Sequence, residues 1–85
     1  MSGYEIVFGP GVIVDGGLFG GSGTDTAFCP AGKKVVGGGW KTDPPKGSAL
    51  FNYPNSDHSW IVTLFVGGAQ GSTLMNAYAI CVNVS

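Results

Sequence analysis

The sequence predicts an all-β fold: a small antiparallel β-sandwich or barrel-like domain with an extended N-terminal arm and one disulfide. Three observations carry that prediction. No twelve-residue stretch has a clean 3.6-residue apolar period, whereas period-2 alternation and solid β-branched runs recur between turn signals. Sixteen glycines and five prolines punctuate the chain, yet hydrophobic residues are 44% and charged residues only 11%, which is not the composition of a disordered polymer. The two cysteines both lie in strand-like segments with small neighbours. At 85 residues the chain makes one domain with a thin core.

The elements follow in order. YEIVF (4–8) reads as a strand, GPG (9–11) breaks it, and VIV (12–14) resumes before a flexible DGGLFGGSG connector (15–23). Residues 1–22 are therefore expected to be a Gly-rich apolar arm or first strand, and residues 23–85 the β-domain. TDTAFC (24–29) is a second strand region, PAGK (30–33) a tight turn, and KVV (34–36) the way back out. Gly37 to Gly39 permit a bulge or close backbone packing before Trp40. SALFNY (48–53) and SWIVTLFV (59–66) form a hairpin around PNSD (54–57), with Pro54-Asn55 starting the reversal. GGAQGS (67–72) turns again, and TLMNAYAICVNV (73–84) is a last long strand.

That final strand sorts its side chains. Leu74, Tyr78, Ile80, Val82 and Val84 share one bulky face, while Met75, Ala77, Ala79 and Cys81 share a small one. Ala27 with Cys29 forms a similar small face opposite Phe28. A bridge between Cys29 and Cys81 needs such room, because its Cβ atoms must approach to about 4 Å. Two buried free thiols are the alternative. The thin core and Gly-rich, extracellular-type composition favour the bridge.

Motifs for chemistry are incomplete. Gly32-Lys33 lacks the first glycine and the hydroxyl of a phosphate loop, since Ala27 stands five residues before Gly32 and Lys34 follows Lys33. GGSGTDTAF (20–28) matches most of a calcium-binding nonapeptide, but a single copy has no neighbouring turn to share the ion. Asp57, His58 and Ser59 are consecutive, and neighbours on an extended chain alternate faces, which opposes a hydrogen-bonded triad. One histidine and two distant cysteines leave a zinc site short of ligands. No catalytic residue, metal or cofactor is expected. Net charge is −1, arginine is absent, and the four lysines form no long basic stripe, so nucleic acid is not an expected partner. MSGYEIVF shows no secretory leader pattern, and the apolar run from Trp60 to Ala69 is far short of the roughly 20 residues of a membrane span. Asn83-Val84-Ser85 has the form of a glycosylation sequon.

The blocks GYEIV, CPAGKKVVGGGW, NYP, SWIVTLFV and AYAIC occur in that order. In this order they resemble a small β-rich module that recurs at the ends of bacterial extracellular and phage-associated proteins, with the likeness covering about residues 3–82. The resemblance implies an outward-displayed module without catalytic residues, often appended to fibres or surface proteins. The Gly-rich apolar segment at residues 9–23 is an addition to that pattern. The expectation is therefore a non-enzymatic structural subunit of an extracellular filament, fibre or virion surface that associates with its own copies. Phe8, Val12, Ile13, Val14, Leu18 and Phe19 are the expected contacts, with the arm adding a strand to a neighbour's sheet. The competing expectation is a lectin-like adhesion module that binds surface glycans through Trp40, Tyr53 and Trp60.

Overall fold

The computed structural model describes residues 3–84, so Met1 and Ser2 of the expected arm and Ser85 of the sequon lie outside the described residues. The fold is all-β and antiparallel. Seven strands form in chain order: β1 (Glu5–Phe8), β2 (Val12–Asp15), β3 (Gly21–Phe28), β4 (Lys33–Asp43), β5 (Ser48–Ser56), β6 (Ser59–Val66) and β7 (Ser72–Asn83). They make two sheets. In sheet A, β7 is central, with β4 on one side and β1 followed by β2 on the other; in sheet B, β6 lies between β3 and β5. The molecule is long and thin, 49 × 19 × 15 Å.

β1 and β2 are one edge strand with a break. Phe8 pairs with Tyr78 and Val12 with Met75, so Gly9, Pro10 and Gly11 stand opposite only Asn76 and Ala77. A strand with an extra residue leaves backbone groups of its partner unpaired. Two side chains supply the missing partners. From the outer side, the Asn76 amide donates to the Gly9 carbonyl at 3.1 Å. From inside, Asp25 of β3 reaches across the sandwich, where its Oδ2 accepts from the buried Ala77 N–H at 2.9 Å and from the Gly11 N–H at 3.2 Å. Residues 5–15 thus complete the chain's own sheet, and the division expected at residue 22 falls inside β3.

Between the sheets lie Val14, Ala27, Val62, Leu64, Val66, Met75, Ala77, Ala79 and Cys81. The inward face of β7 is the small one, and its bulky face points away from sheet B. Cys29 and Cys81 are disulfide-bonded, with Cα atoms 5.7 Å apart and a sequence separation of 52. The bridge ties the end of sheet B to sheet A. Closing a loop of that length stabilises the fold by about 4 kcal/mol in the chain-entropy account.

The three glycines of β4 are explained by what lies on either side of them. The register slips by one between Val35 and Gly37, so Val36 is the bulged residue. Gly38 faces inward, where a Cβ would stand 2.4 Å from the Trp60 indole and 2.6 Å from the Tyr78 carbonyl oxygen. Gly39 faces outward beneath the Tyr78 ring, whose hydroxyl would be 2.7 Å from an added Cβ. Gly37 is looser, with Ile80 at 3.4 Å.

Two sequence expectations move. The hairpin does not reverse at Pro54-Asn55; β5 continues through them and the turn is Asp57-His58. Proline is tolerated there because β5 is an edge strand, and the register slips around Leu50 and again around Asn55. Of the connector expected at residues 15–23, Asp15 ends β2 and residues 21–23 open β3, leaving residues 16–20 as a pinned loop rather than a flexible one. Gly17 N–H donates to Asp15 Oδ1 at 2.9 Å, Gly20 N–H to the Gly16 carbonyl at 2.6 Å, and Ala69 N–H to the Gly17 carbonyl at 2.6 Å.

Candidate functional surfaces

The outward-facing residues of the two sheets differ in character. On sheet A, directly opposed pairs place Ile6 beside Ile80, Phe8 beside Tyr78 and Ile13 beside Leu74, all on the outer side. The Phe8 and Tyr78 rings are 5.7 Å apart, and the Lys41 ammonium, reaching from β4, lies over the Phe8 ring 5.2 Å from its centre. Gly37 and Gly39 leave the neighbouring strip of β4 without side chains, so Tyr78 and Ile80 lie over it. The result is an apolar sheet face flanked by Lys41 and Asp43 on the β4 side. Ile13 is 64% exposed and Phe8 50%.

On sheet B the outer face is mixed. Phe51 and Tyr53 of β5 form an edge-on ring pair with centres 6.4 Å apart. Beside them, Thr24 and Thr63 share a hydroxyl hydrogen bond of 2.7 Å across β3 and β6.

The expected contact residues therefore separate into three groups. Phe8 and Ile13 stand on the outer face of sheet A. Leu18 and Phe19 project from the loop at one pole, Phe19 being 94% exposed. Val12 and Val14 are a correction: both point toward sheet B, Val14 is fully enclosed and Val12 packs against the same core, so in this fold neither faces a neighbour. They point inward because the three-residue break at Gly9–Gly11 sets which side of β2 meets the core.

The residues expected to form a glycan platform are not on one surface. Tyr53 pairs with Ile61 on the outer side of sheet B. Trp60 faces inward over Gly38, half-buried, with its indole N–H donating to Asn52 Oδ1 at 2.7 Å. Trp40 lies opposite Ala77 on the β4 edge of sheet A. Trp40, paired with the inward Ala77, thus shares the inward side of sheet A with Gly38, over which Trp60 lies, whereas Tyr53 is on the outer side of sheet B.

Of Asp57, His58 and Ser59, the serine hydroxyl and the backbone of the other two are bonded within the fold. Ser59 is buried and shares a 2.6 Å hydroxyl hydrogen bond with Ser56. The carbonyl of His58 accepts from Cys29 N–H at 2.8 Å, and that of Asp57 from Val35 N–H at 2.8 Å. The turn therefore ties the two sheets together beside the disulfide. An open cleft of about 470 Å³ at the same pole is lined by Lys34, Val35 and residues 54–57. Among the described residues no three of His, Cys, Asp or Glu gather into a metal site, and no helix is long and apolar enough to cross a membrane.

Sequence reasoning missed Asp25. Its signal was present: in TDTAF the carboxylate shares the inward register with Ala27, which places a charge between the sheets. Comparison of the chain with protein-family models, with curated proteins and with solved structures finds no match in any of the three.

Proposed function

We propose that this chain is a non-enzymatic structural subunit that assembles with copies of itself as part of an extracellular filament, fibre or virion surface. One observation carries the reading. The central strand of sheet A turns its small residues to the core and its bulky apolar residues to the outside, the reverse of what a self-sufficient monomer needs. A domain whose interior holds, beside Leu64 and Met75, mainly alanine, valine and cysteine gains less from burial, and its outward bulky side chains gain only when something covers them. The disulfide fits an oxidising compartment. The near-zero net charge removes the repulsion that would keep copies apart.

Three of the four sheet edges argue for assembly through faces rather than through an exchanged arm, the β3 edge being the one without such a device. β4 carries Lys33, Lys34 and Lys41 and a bulge, β5 carries Pro54 and two register slips, and the β1–β2 edge carries Pro10 and its break. Each is a device that discourages strand addition. Sedimentation velocity and negative-stain electron microscopy of the oxidised protein test the reading. Concentration-dependent growth into particles of regular form is expected; a monomer at every concentration, with no ordered particle, refutes it.

A further inference from the structure

We infer that the outer face of sheet A is the contact surface for a second copy of this chain, packed sheet face to sheet face. The inference rests on the proposed structural role and adds which surface makes the first contact. Tyr4, Ile6, Phe8, Ile13 and Leu74 are each between 40% and 65% exposed. With about 200 Å² for a fully exposed large side chain, these five present roughly 500 Å² of apolar surface. Tyr78 and Ile80, partly exposed between them, add to it. A stable interface takes about 800 Å² from each partner, with an apolar centre and a polar rim. The patch supplies the centre, interrupted on β7 by Asn76 between Leu74 and Tyr78, while Lys41 and Asp43 rise from the β4 side.

A second copy suits this face better than an unlike partner of opposite charge, because Lys41 and Asp43 carry opposite signs and leave the patch no net charge to complement. The same flat apolar patch on both molecules is self-complementary, which is the requirement of a two-fold contact. Sheets stacked in this way pack about 10 Å apart with interdigitating side chains. Over the bare backbone at Gly37 and Gly39, Tyr78 and Ile80 lie flat, which keeps the β4 side of the patch low. The outer face of sheet B is less suited to be the first contact, since Thr24, Thr26 and Thr63 divide its aromatic residues.

Hydroxyl-radical footprinting of the unaltered oxidised protein, read by mass spectrometry across a dilution series, tests this directly. From dilute to concentrated protein, labelling of Phe8 and Tyr78 is expected to fall at least fivefold while Phe51 and Tyr53 change less than twofold. If the protein associates but Phe51 and Tyr53 are the residues that become protected, or Phe8 and Tyr78 label unchanged, the assignment of the face is overturned and the structural role stands. If the protein stays monomeric throughout, both fall. Variants Ile13→Glu and Phe8→Glu, at positions already half or more exposed, supply a second readout. Each is expected to give a folded monomer by circular dichroism and sedimentation, whereas Tyr53→Glu is expected to associate as the parent does; folded Ile13→Glu and Phe8→Glu proteins that still associate overturn the inference.

Discussion

Replacing Asp25 tests whether the sandwich depends on one carboxylate spanning it. Its Oδ2 accepts from Ala77 N–H and Gly11 N–H, and it does so where the strand break leaves Ala77 without a ladder partner for that donor. Hydrogen bonds to a charged group are each worth about 1.5–3 kcal/mol net, and a buried donor left alone costs about 1–3 kcal/mol. Asp25→Ala removes the acceptor from both donors, of which only the one on Gly11 is near enough to solvent to find water. The expected loss is about 3–5 kcal/mol, a large share of the 5–15 kcal/mol typical of a whole domain. Asp25→Asn is a sharper probe. Both bonds end on the same oxygen, so an amide oxygen in its place keeps both bonds while the charge is lost and an NH2 replaces the other oxygen, and the expected cost is about half that of alanine. Urea unfolding with the disulfide intact, followed by fluorescence and circular dichroism, measures both. A loss below about 1 kcal/mol for Asp25→Ala, or equal losses for the two variants, refutes the argument that an oriented acceptor is what the break requires.

Two further perturbations follow from the same packing. Gly38→Ala is expected to destabilise by about 1–3 kcal/mol, because its Cβ meets both the Trp60 ring and a backbone oxygen, whereas Gly37→Ala, with Ile80 at 3.4 Å, is expected to stay within about 1 kcal/mol of the parent; thermal melts of the two distinguish them. Removal of residues 1–16 is expected to abolish cooperative unfolding, since it strips one side of β7, exposes Met75 and takes Val14 from the core; a truncated protein that keeps the near-ultraviolet dichroism of the parent contradicts this.

The parts of the fold that were readable in the sequence are those written in local alternation. The two-faced pattern of residues 73–84 and the small neighbours of Cys29 are backbone-parity facts, and they led to the cross-sheet bridge that the structure contains. What local pattern does not contain is which face of a strand meets the other sheet. Bulky Leu74, Tyr78 and Ile80 are outside because Gly38 and the inward alanines let Trp60 fill the available space from sheet B. Turn positions were displaced where an edge strand accepts proline without stopping, as at Pro54. The loop at Gly16–Gly20 looked mobile from its glycines, yet its hydrogen-bond partner Ala69 is some fifty residues away. The same applies to the candidate contacts. Phe8 and Ile13 were found from apolarity, while Val12 and Val14 are separated from them by a one-residue register change that only pairing with β7 reveals.

The position of the disulfide also decides how this domain responds to tension. Glu5 is opposite Cys81, so both described ends of the chain emerge at the same pole. A pull applied at residues 3 and 84 loads the β1–β7 ladder as a zipper, one bond pair at a time, rather than in shear. Peeling can proceed through β1, β2 and β3, but it stops at Cys29, because from there the covalent bridge carries the load directly to Cys81. The whole segment between the two cysteines is shielded from extension. At about 3.3–3.6 Å for each extended residue, the chain from Gly3 to Cys29 can pay out roughly 90 Å and then becomes inextensible. A reducing agent would release the remainder, so the oxidation state of one bond sets the length to which the domain can be stretched.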